Sequence, residues 1–152
     1  MRILFTRSSK IGSVAIRAFE GGQASHCGAV MPDRRVIDTS WPHGVRLRSM
    51  EEFLDGREIV DDLSLMLPNE AAAEEFLYTQ IGKPYDLTFL ISFLLWRNLN
   101  DPSRWACSEL LLAAALAGGL SMADKHNRVG VRLLRVWAAA HEDFFPILAG
   151  GT

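Results

Sequence analysis

The chain has few cysteines and little net charge, and each shortage excludes a class of protein. Its 152 residues include two cysteines, which are too few for a disulfide framework. Neither cysteine belongs to a CxxC or Cys/His pattern with the spacing of a zinc site, so no metal site is expected. The formal net charge is -2, whereas a nucleic-acid-binding domain usually carries a basic surplus. We therefore expect no nucleic-acid partner.

Long apolar runs are also missing. The opening stretch MRILFTRSSKIG has an apolar run of only three residues, so no signal peptide is predicted. The most apolar segment, LTFLISFLLW (residues 87–96), is about half the length needed to cross a bilayer. It is interpreted either as a buried helix or as a surface for a lipid or partner. We expect no transmembrane segment and a chain that is cytoplasmic as synthesised, with export by a signal-free route left open.

What the sequence does contain is a strand-rich first half and a helix-rich second half. The length favours one domain over residues 1–152. Ser8 or Ser9 is predicted to cap the first helix. The pattern predicts an α+β fold, an antiparallel sheet or barrel packed against helices. Strands are predicted at 2–6, 25–31, 34–41, 44–49 and 57–66, and helices at 11–19, 50–56, 68–82, 85–97, 105–116 and 131–142.

The stretch RWACSELLLAAALAGG places Cys107 at the front of a strongly helical run. In the first turn of a helix, the macrodipole and the free backbone N–H groups favour a thiolate. The same N–H groups are suited to stabilise an oxyanion during acyl transfer. Cys107 is therefore a candidate nucleophile. The alternative is an inert core residue, because free cysteines are among the most buried residue types.

A thiolate nucleophile needs a base, usually histidine, and a third polar group that orients the base. Three of the four histidines, His43, His126 and His141, lie in a turn, a polar loop and a helix end, and are expected at the surface. His26 differs, because it opens a predicted strand and is followed by small residues. It is the candidate base, and a hydrogen-bonded structural histidine is the alternative.

Asp38 is the candidate orienting residue. It lies on the strand predicted to pair with that of His26 across the Pro32-Asp33 turn, and a hairpin centred on residue 32 would set positions 26 and 38 opposite each other. The alternative is an exposed carboxylate near a strand end. The basic residues Arg34, Arg35, Arg46 and Arg48 lie among acidic residues and are interpreted as solvated surface.

Several of these motifs, in this order, resemble a known family. GKPYDLTFLISFLLWRNLNDPSRWACSEL (residues 82–110) resembles the nucleophile half of NlpC/P60-type papain-like peptidases, in which G-x-P-Y precedes a helix-initiating Cys-Ser. Here SHCGAV comes before the cysteine, as in the circularly permuted YiiX/YaeF-like branch and, more distantly, lecithin:retinol acyltransferase. VIDTSWPHGVRLRSMEEFL (residues 36–54) is similar to the next family stretch. The resemblance spans residues 3–116.

The resemblance implies a permuted papain-like fold and a cysteine hydrolase, an amidase or peptidase. Cys107 would be the nucleophile, His26 the base, and Asp38 the third member, where relatives commonly have glutamate. Tyr85 would lie at the site and help bind the oxyanion or substrate. The implied substrates are a cell-wall peptide amide or a lipid or N-acyl amide. No cofactor is required, and the alternatives are an acyltransferase, a lipid-binding domain with peripheral lipid contact, or a catalytically silent module.

Overall fold

The computed structural model describes residues 1–86, 103–120 and 129–144, and these contain five strands and five helices. The helix predicted at 85–97 falls almost entirely outside the described residues. In chain order the elements are β1 (Arg2–Arg7), α1 (Ile11–Glu20), β2 (His26–Val30), β3 (Val36–Ser40), β4 (Gly44–Arg48), α2 (Met50–Leu54), β5 (Glu58–Ser64), α3 (Glu70–Gln80), α4 (Cys107–Ala117) and α5 (Val131–Phe144).

The five strands form one sheet in the order β4-β3-β2-β1-β5, and every neighbouring pair is antiparallel. β2, β3 and β4 follow one another through short turns, which suffice for antiparallel neighbours. β5 returns to the far edge of the sheet and pairs with β1. The expected α+β class, with an antiparallel sheet and helices, is confirmed.

The two faces of the sheet are unlike, because side chains alternate along each strand. One face carries Ile3, Phe5, Cys27 and Ile37 into the main apolar core. On this face α4 packs against β2 and β3, α5 packs against β5, and α3 lies beside α4. The other face carries only a small apolar cluster, in which Phe53 of α2 covers positions on β1 and β3. That second face therefore has room for polar side chains.

The five described helices lie close to their predicted bounds, but the predicted cap of α1 is wrong. Neither Ser8 nor Ser9 caps α1, since the helix begins at Ile11 and the capping position is Lys10, whose side chain makes no capping hydrogen bond. The backbone N–H of Ser8 instead donates to Ser13 Oγ at 3.0 Å. Among the helices that the structure describes, none combines the length and hydrophobicity that a membrane span requires.

Candidate active site

His26 and Asp38 are in direct contact. The distance from His26 Nε2 to Asp38 Oδ2 is 2.6 Å, and the side chains are 13% and 0% exposed. The register differs from the expected one, because Val30 pairs with Val36 and the turn is centred on residue 33. If this register continues along the two strands, Asp38 lies opposite Gly28, and His26 is its diagonal neighbour, two residues before Gly28 in β2. The longer turn shifts the pairing by two residues, and this keeps both side chains on one face.

Gly28 lies between the two and makes their contact sterically feasible. In this register it is the residue opposite Asp38, and it has no side chain to fill the space. A Cβ at Gly28 would lie 2.7 Å from Val36 Cγ1 and 2.8 Å from Phe53 Cε2. Phe53 can therefore sit close to the sheet, where its ring centroid is 5.7 Å from that of His26. The imidazole is thus held by a carboxylate and by an aromatic ring.

Asp38 has a second partner, Arg48. The Arg48 Nε atom donates to Asp38 Oδ1 at 2.8 Å, and Nη2 donates to Oδ2. The Arg48 side chain is 11% exposed, so its interpretation as solvated surface is wrong, as is the exposed alternative for Asp38. Burial by itself would raise the pKa of Asp38, but His26 and Arg48 outweigh burial and lower it. The carboxylate therefore stays ionised and accepts from the ring N–H of His26.

Cys107 is the first residue of α4, and its side chain lies at the end of the apolar core. The helix start is anchored to the sheet, since Thr39 Oγ1 donates to the carbonyl oxygen of Trp105 at 3.2 Å. Ala106 offers no side-chain acceptor to cap the helix. The N–H groups of the first turn are consequently not taken up by a capping side chain and lie close to the thiol.

The Cys107 thiol interacts with both His26 and Cys27. A hydrogen bond from Cys27 lowers the pKa of the Cys107 thiol well below its usual value, against the effect of burial, and His26 lowers it further. Burial would lower the pKa of His26, but hydrogen bonds with Asp38 and Cys107 raise it to about 9. These directions favour a thiolate-imidazolium pair at neutral pH. Burial and the neighbouring Cys107 raise the pKa of Cys27, which stays a thiol.

Tyr85 reaches the site through the segment that precedes it. The carbonyl oxygen of Lys83 accepts from the backbone N–H of Val45 at 2.8 Å, which docks the segment against the start of β4. Gly44 permits this approach, because its φ is +71° and a Cβ there would lie 2.2 Å from the Lys83 oxygen. Tyr85 then forms a β-bridge with Trp105, two residues before the nucleophile candidate. Burial and the nearby Cys107 raise the pKa of the Tyr85 hydroxyl, which stays protonated.

A carboxyl group that the sequence analysis missed lies two residues after Cys107 in α4. Glu109, in the first turn of α4, accepts from the Ala106 N–H at 3.3 Å. Burial raises the pKa of Glu109 to about 7, with contributions from the nearby charges of Asp86 and Cys107. The ACSE pattern, with an acidic residue at the third helical position, was the available sequence signal. Glu109 thus changes charge in the pH range where the thiol would work.

Four candidate residues, Cys107, His26, Asp38 and Tyr85, are thus brought together. His43 is exposed, as expected, whereas His126 and the side chain of His141 lie outside the described residues. Sequence reasoning missed Arg48, although the alternation in GVRLR put it on one face of β4. It also missed the contact between Cys27 and Cys107, which join through the tertiary fold alone. The described residues hold no group of three or more histidine, cysteine or acidic side chains placed to bind a metal ion.

Comparison of the chain with family models, with curated proteins and with solved structures finds no match in any of the three.

Proposed function

We propose that the protein is a cysteine hydrolase of permuted papain-like architecture, which cleaves an amide bond in a peptide or N-acyl substrate through Cys107, His26 and Asp38. The observation that carries the proposal is the buried hydrogen bond between Asp38 and His26, together with the interaction of His26 with Cys107 that raises the pKa of the imidazole and lowers that of the thiol. A nucleophile, a base and an orienting group in this order are the requirements of covalent acyl transfer. The family resemblance of the motifs points to the same residues.

In the proposed reaction, the Cys107 thiolate attacks the carbonyl carbon of the scissile amide and forms a tetrahedral intermediate. In this proposal the oxyanion accepts hydrogen bonds from the first-turn N–H groups of α4 and from the Tyr85 hydroxyl, which stays protonated. The imidazolium of His26 gives its proton to the leaving amine as the carbon–nitrogen bond breaks. His26 then removes a proton from water, which attacks the acyl-enzyme, releases the carboxylic acid and restores the thiolate.

Asp38 has two roles in this scheme. Its hydrogen bond to Nε2 leaves Nδ1 as the ring nitrogen that serves Cys107, and its negative charge stabilises the imidazolium. Arg48 holds the carboxylate from the other side, so that Asp38 does not rotate away from His26. Aspartate has a shorter reach than the glutamate common in relatives, and the diagonal register across Gly28 supplies the approach that this reach needs.

The test is the pH dependence of alkylation at each cysteine, read by peptide mass spectrometry, in the wild type and in His26→Ala. We expect Cys107 to react with iodoacetamide well below the usual thiol pKa of about 8.5. Removal of His26 should move its reaction to higher pH, because the thiolate loses its cationic partner. Cys27, whose pKa is raised, is the internal comparison and should stay slow throughout.

Once a substrate is found, the pH dependence of the turnover rate gives a second test. It needs the thiolate and the imidazolium together, so the rate should rise as Cys107 loses its proton and fall as His26 loses its proton at about pH 9. If Cys107 is as slow as Cys27 at every pH and indifferent to His26→Ala, the catalytic proposal is wrong. A catalytically silent module on the same scaffold would then be the better description.

A further inference from the structure

A surface cavity of about 500 Å³ opens between the end of β1 and the start of β5. Its polar lining consists of Arg7, Ser8, Ser9, Arg17, Arg57 and Glu58. The pairing of Thr6 with His26 places the Arg7-Ser8-Ser9 stretch at the same end of the sheet as the imidazole. The cavity therefore lies at the end of the sheet where the proposed chemistry takes place.

The cavity carries a surplus of positive charge. Arg7 is paired with Glu58, with 2.9 Å between Nε and Oε2. Arg17 donates to the Ser8 carbonyl at 2.8 Å, and Arg57 donates to the Phe53 carbonyl at 2.6 Å. Among the residues that the structure describes, neither Arg17 nor Arg57 has a carboxylate partner. Two guanidinium charges thus face the cavity together with the hydroxyl groups of two serines.

Arg57 links this cavity to the nucleophile candidate. Its guanidinium lies over the ring of Phe53, 5.4 Å from the centroid, and Phe53 also contacts the His26 ring. Burial and the positive charge of Arg48 lower the pKa of Arg57, while the charges of Asp38 and Cys107 act on it in the opposite direction. Arg57 is therefore within electrostatic range of the thiolate, yet its own hydrogen bond goes to a neutral backbone oxygen.

We propose that this cavity is a subsite that binds an oxyanion of the substrate, a carboxylate or phosphate group close to the bond attacked by Cys107. Guanidinium groups bind such oxyanions through paired N–H donors, and serine hydroxyls complete their hydrogen bonding. Arg17 is already oriented by Ser13, whose Oγ accepts from it at 2.7 Å, so little side-chain freedom is lost on binding. The inference rests on the proposed function and assigns its substrate class: an anionic amide.

The first experiment measures the subsite without any chemistry at Cys107. Inorganic phosphate and, separately, acetate are titrated into the full-length protein by isothermal calorimetry at low ionic strength. We expect saturable binding in the wild type and in Arg35→Gln, where an exposed arginine on the β2–β3 turn is lost. Binding should be lost in Arg17→Gln and Arg57→Gln. The two titrations also distinguish a phosphate-selective subsite from one that prefers carboxylates.

The second experiment connects the subsite to the nucleophile. The rates of Cys107 alkylation by anionic iodoacetate and by neutral iodoacetamide are compared in each protein. Removal of the Arg57 charge should lower the iodoacetate rate several-fold, because the guanidinium attracts the anionic reagent toward the thiolate. Both rates are measured at a pH where the Cys107 thiol, whose pKa is lowered, is fully ionised, so the rate with neutral iodoacetamide should change far less than the rate with iodoacetate. Arg57→Lys, which keeps the charge, should restore the iodoacetate rate.

The outcomes separate the two proposals. If neither phosphate nor acetate binds saturably, or if binding survives both Arg17→Gln and Arg57→Gln, the subsite does not exist, whatever Cys107 does. If an oxyanion binds but the ratio of iodoacetate to iodoacetamide rates is the same in all variants, the cavity is not a substrate subsite. If Cys107 reacts slowly with both reagents in the wild type while phosphate binds, the cavity is an anion site and the proposed hydrolase function fails.

Discussion

The two faces of the sheet differ in what they bury: one buries apolar side chains, and the other buries a charged pair beside a small apolar cluster. The face under α4 and α5 is apolar, and its largest side chains, such as Phe5 and Ile3, are fully buried. The face under α2 has only a small apolar cluster around Phe53, and beside it lie Asp38 and Arg48. Burial of charge is tolerable there because each charged group has a partner of opposite sign or a hydrogen bond. The candidate site forms where the two faces meet, at the end of β2.

His26 and Cys27, adjacent residues at the start of β2, place one side chain on each face of the sheet. Adjacent residues of a strand point to opposite sides, so His26 turns toward Asp38 and Cys27 turns toward the main core. Cys107, at the start of α4, lies at this strand end and interacts with both residues. The nucleophile candidate thus takes its cationic partner from the polar face and a thiol donor from the apolar one. The following changes test this division.

The largest effect is expected from Asp38→Asn, which breaks the polar face. It leaves the buried Arg48 without its carboxylate, and loss of one partner of a buried pair costs about 3 kcal/mol of unfolding free energy. His26 loses the carboxylate that stabilises its protonated form, and the Cys107 thiolate is then less stabilised by His26. Alkylation of Cys107 should therefore begin at a higher pH than in the wild type. Urea unfolding and the alkylation profile measure the two effects. Asp33→Asn, at an exposed pair with Arg35, should leave the stability almost unchanged. Equal losses in both variants would contradict the assigned role of Asp38.

The next effect concerns the packing of the polar face. Gly28→Ala forces a methyl group against Val36 and Phe53, and overpacking of this kind costs about 1–3 kcal/mol. Since Phe53 also contacts His26, Cys107 should become less reactive as the ring shifts. Gly12→Ala is the matched control, because nothing lies within 4 Å of its Cβ in α1, and a gain of about 0.5–1 kcal/mol is expected. A Gly28→Ala protein with wild-type stability and reactivity would show that the close approach is dispensable.

Cys27→Ala tests the contribution of the apolar face. It removes the thiol that donates to Cys107, so alkylation of Cys107 should begin at higher pH than in the wild type. The loss of one buried sulfur should cost about 1 kcal/mol of stability. Cys27→Ser keeps a donor at the same position and should hold the profile close to that of the wild type. An unchanged profile in Cys27→Ala would mean that His26 alone sustains the thiolate.

The smallest effect is expected from Glu109→Gln. The wild-type carboxyl, whose pKa is raised to about 7, becomes charged near neutral pH and opposes the thiolate. Glutamine keeps an oxygen for the Ala106 N–H and removes the charge, so Cys107 should be alkylated at slightly lower pH. Glu75→Gln, on the exposed side of α3, is the control and should leave the profile unchanged. A shift to higher pH in Glu109→Gln would contradict the placement of this carboxyl.

The sequence patterns predicted the element order well and the pairing geometry less well. Strand alternation and helical periodicity are local, so β2, β3 and α4 were found within a few residues of their observed ends. The register was wrong by two residues, because the turn runs over residues 31–35 and places Arg34 at φ +65°. A positive φ at arginine is not signalled by composition. His26 and Asp38 nevertheless form the expected side-chain hydrogen bond, since a shift of two residues keeps both on one face.

Two contacts in the site could not be predicted from local sequence patterns: that of Arg48 with Asp38 and that of Cys27 with Cys107. Arg48 was assigned to the solvent because neighbouring residues in the sequence are acidic, yet its neighbour across the sheet is Asp38. The Cys27–Cys107 contact joins residues 80 positions apart, and no spacing rule connects a strand start with a distant helix start. Such contacts depend on how α4 docks on β2, which is decided by burial over the whole core.

The sequence by itself determined the α+β class, the identity of a histidine at a strand start, and a cysteine at a helix start. Those features follow from interactions within a few residues, namely side-chain alternation, helical periodicity and backbone preference. Only the tertiary structure decided that His26, Asp38 and Cys107 meet, that Arg48 holds the carboxylate, and that Arg17 and Arg57 face one cavity. The physical reason is that pKa values and cavities depend on distance and burial, and both are set by contacts between residues remote in the chain.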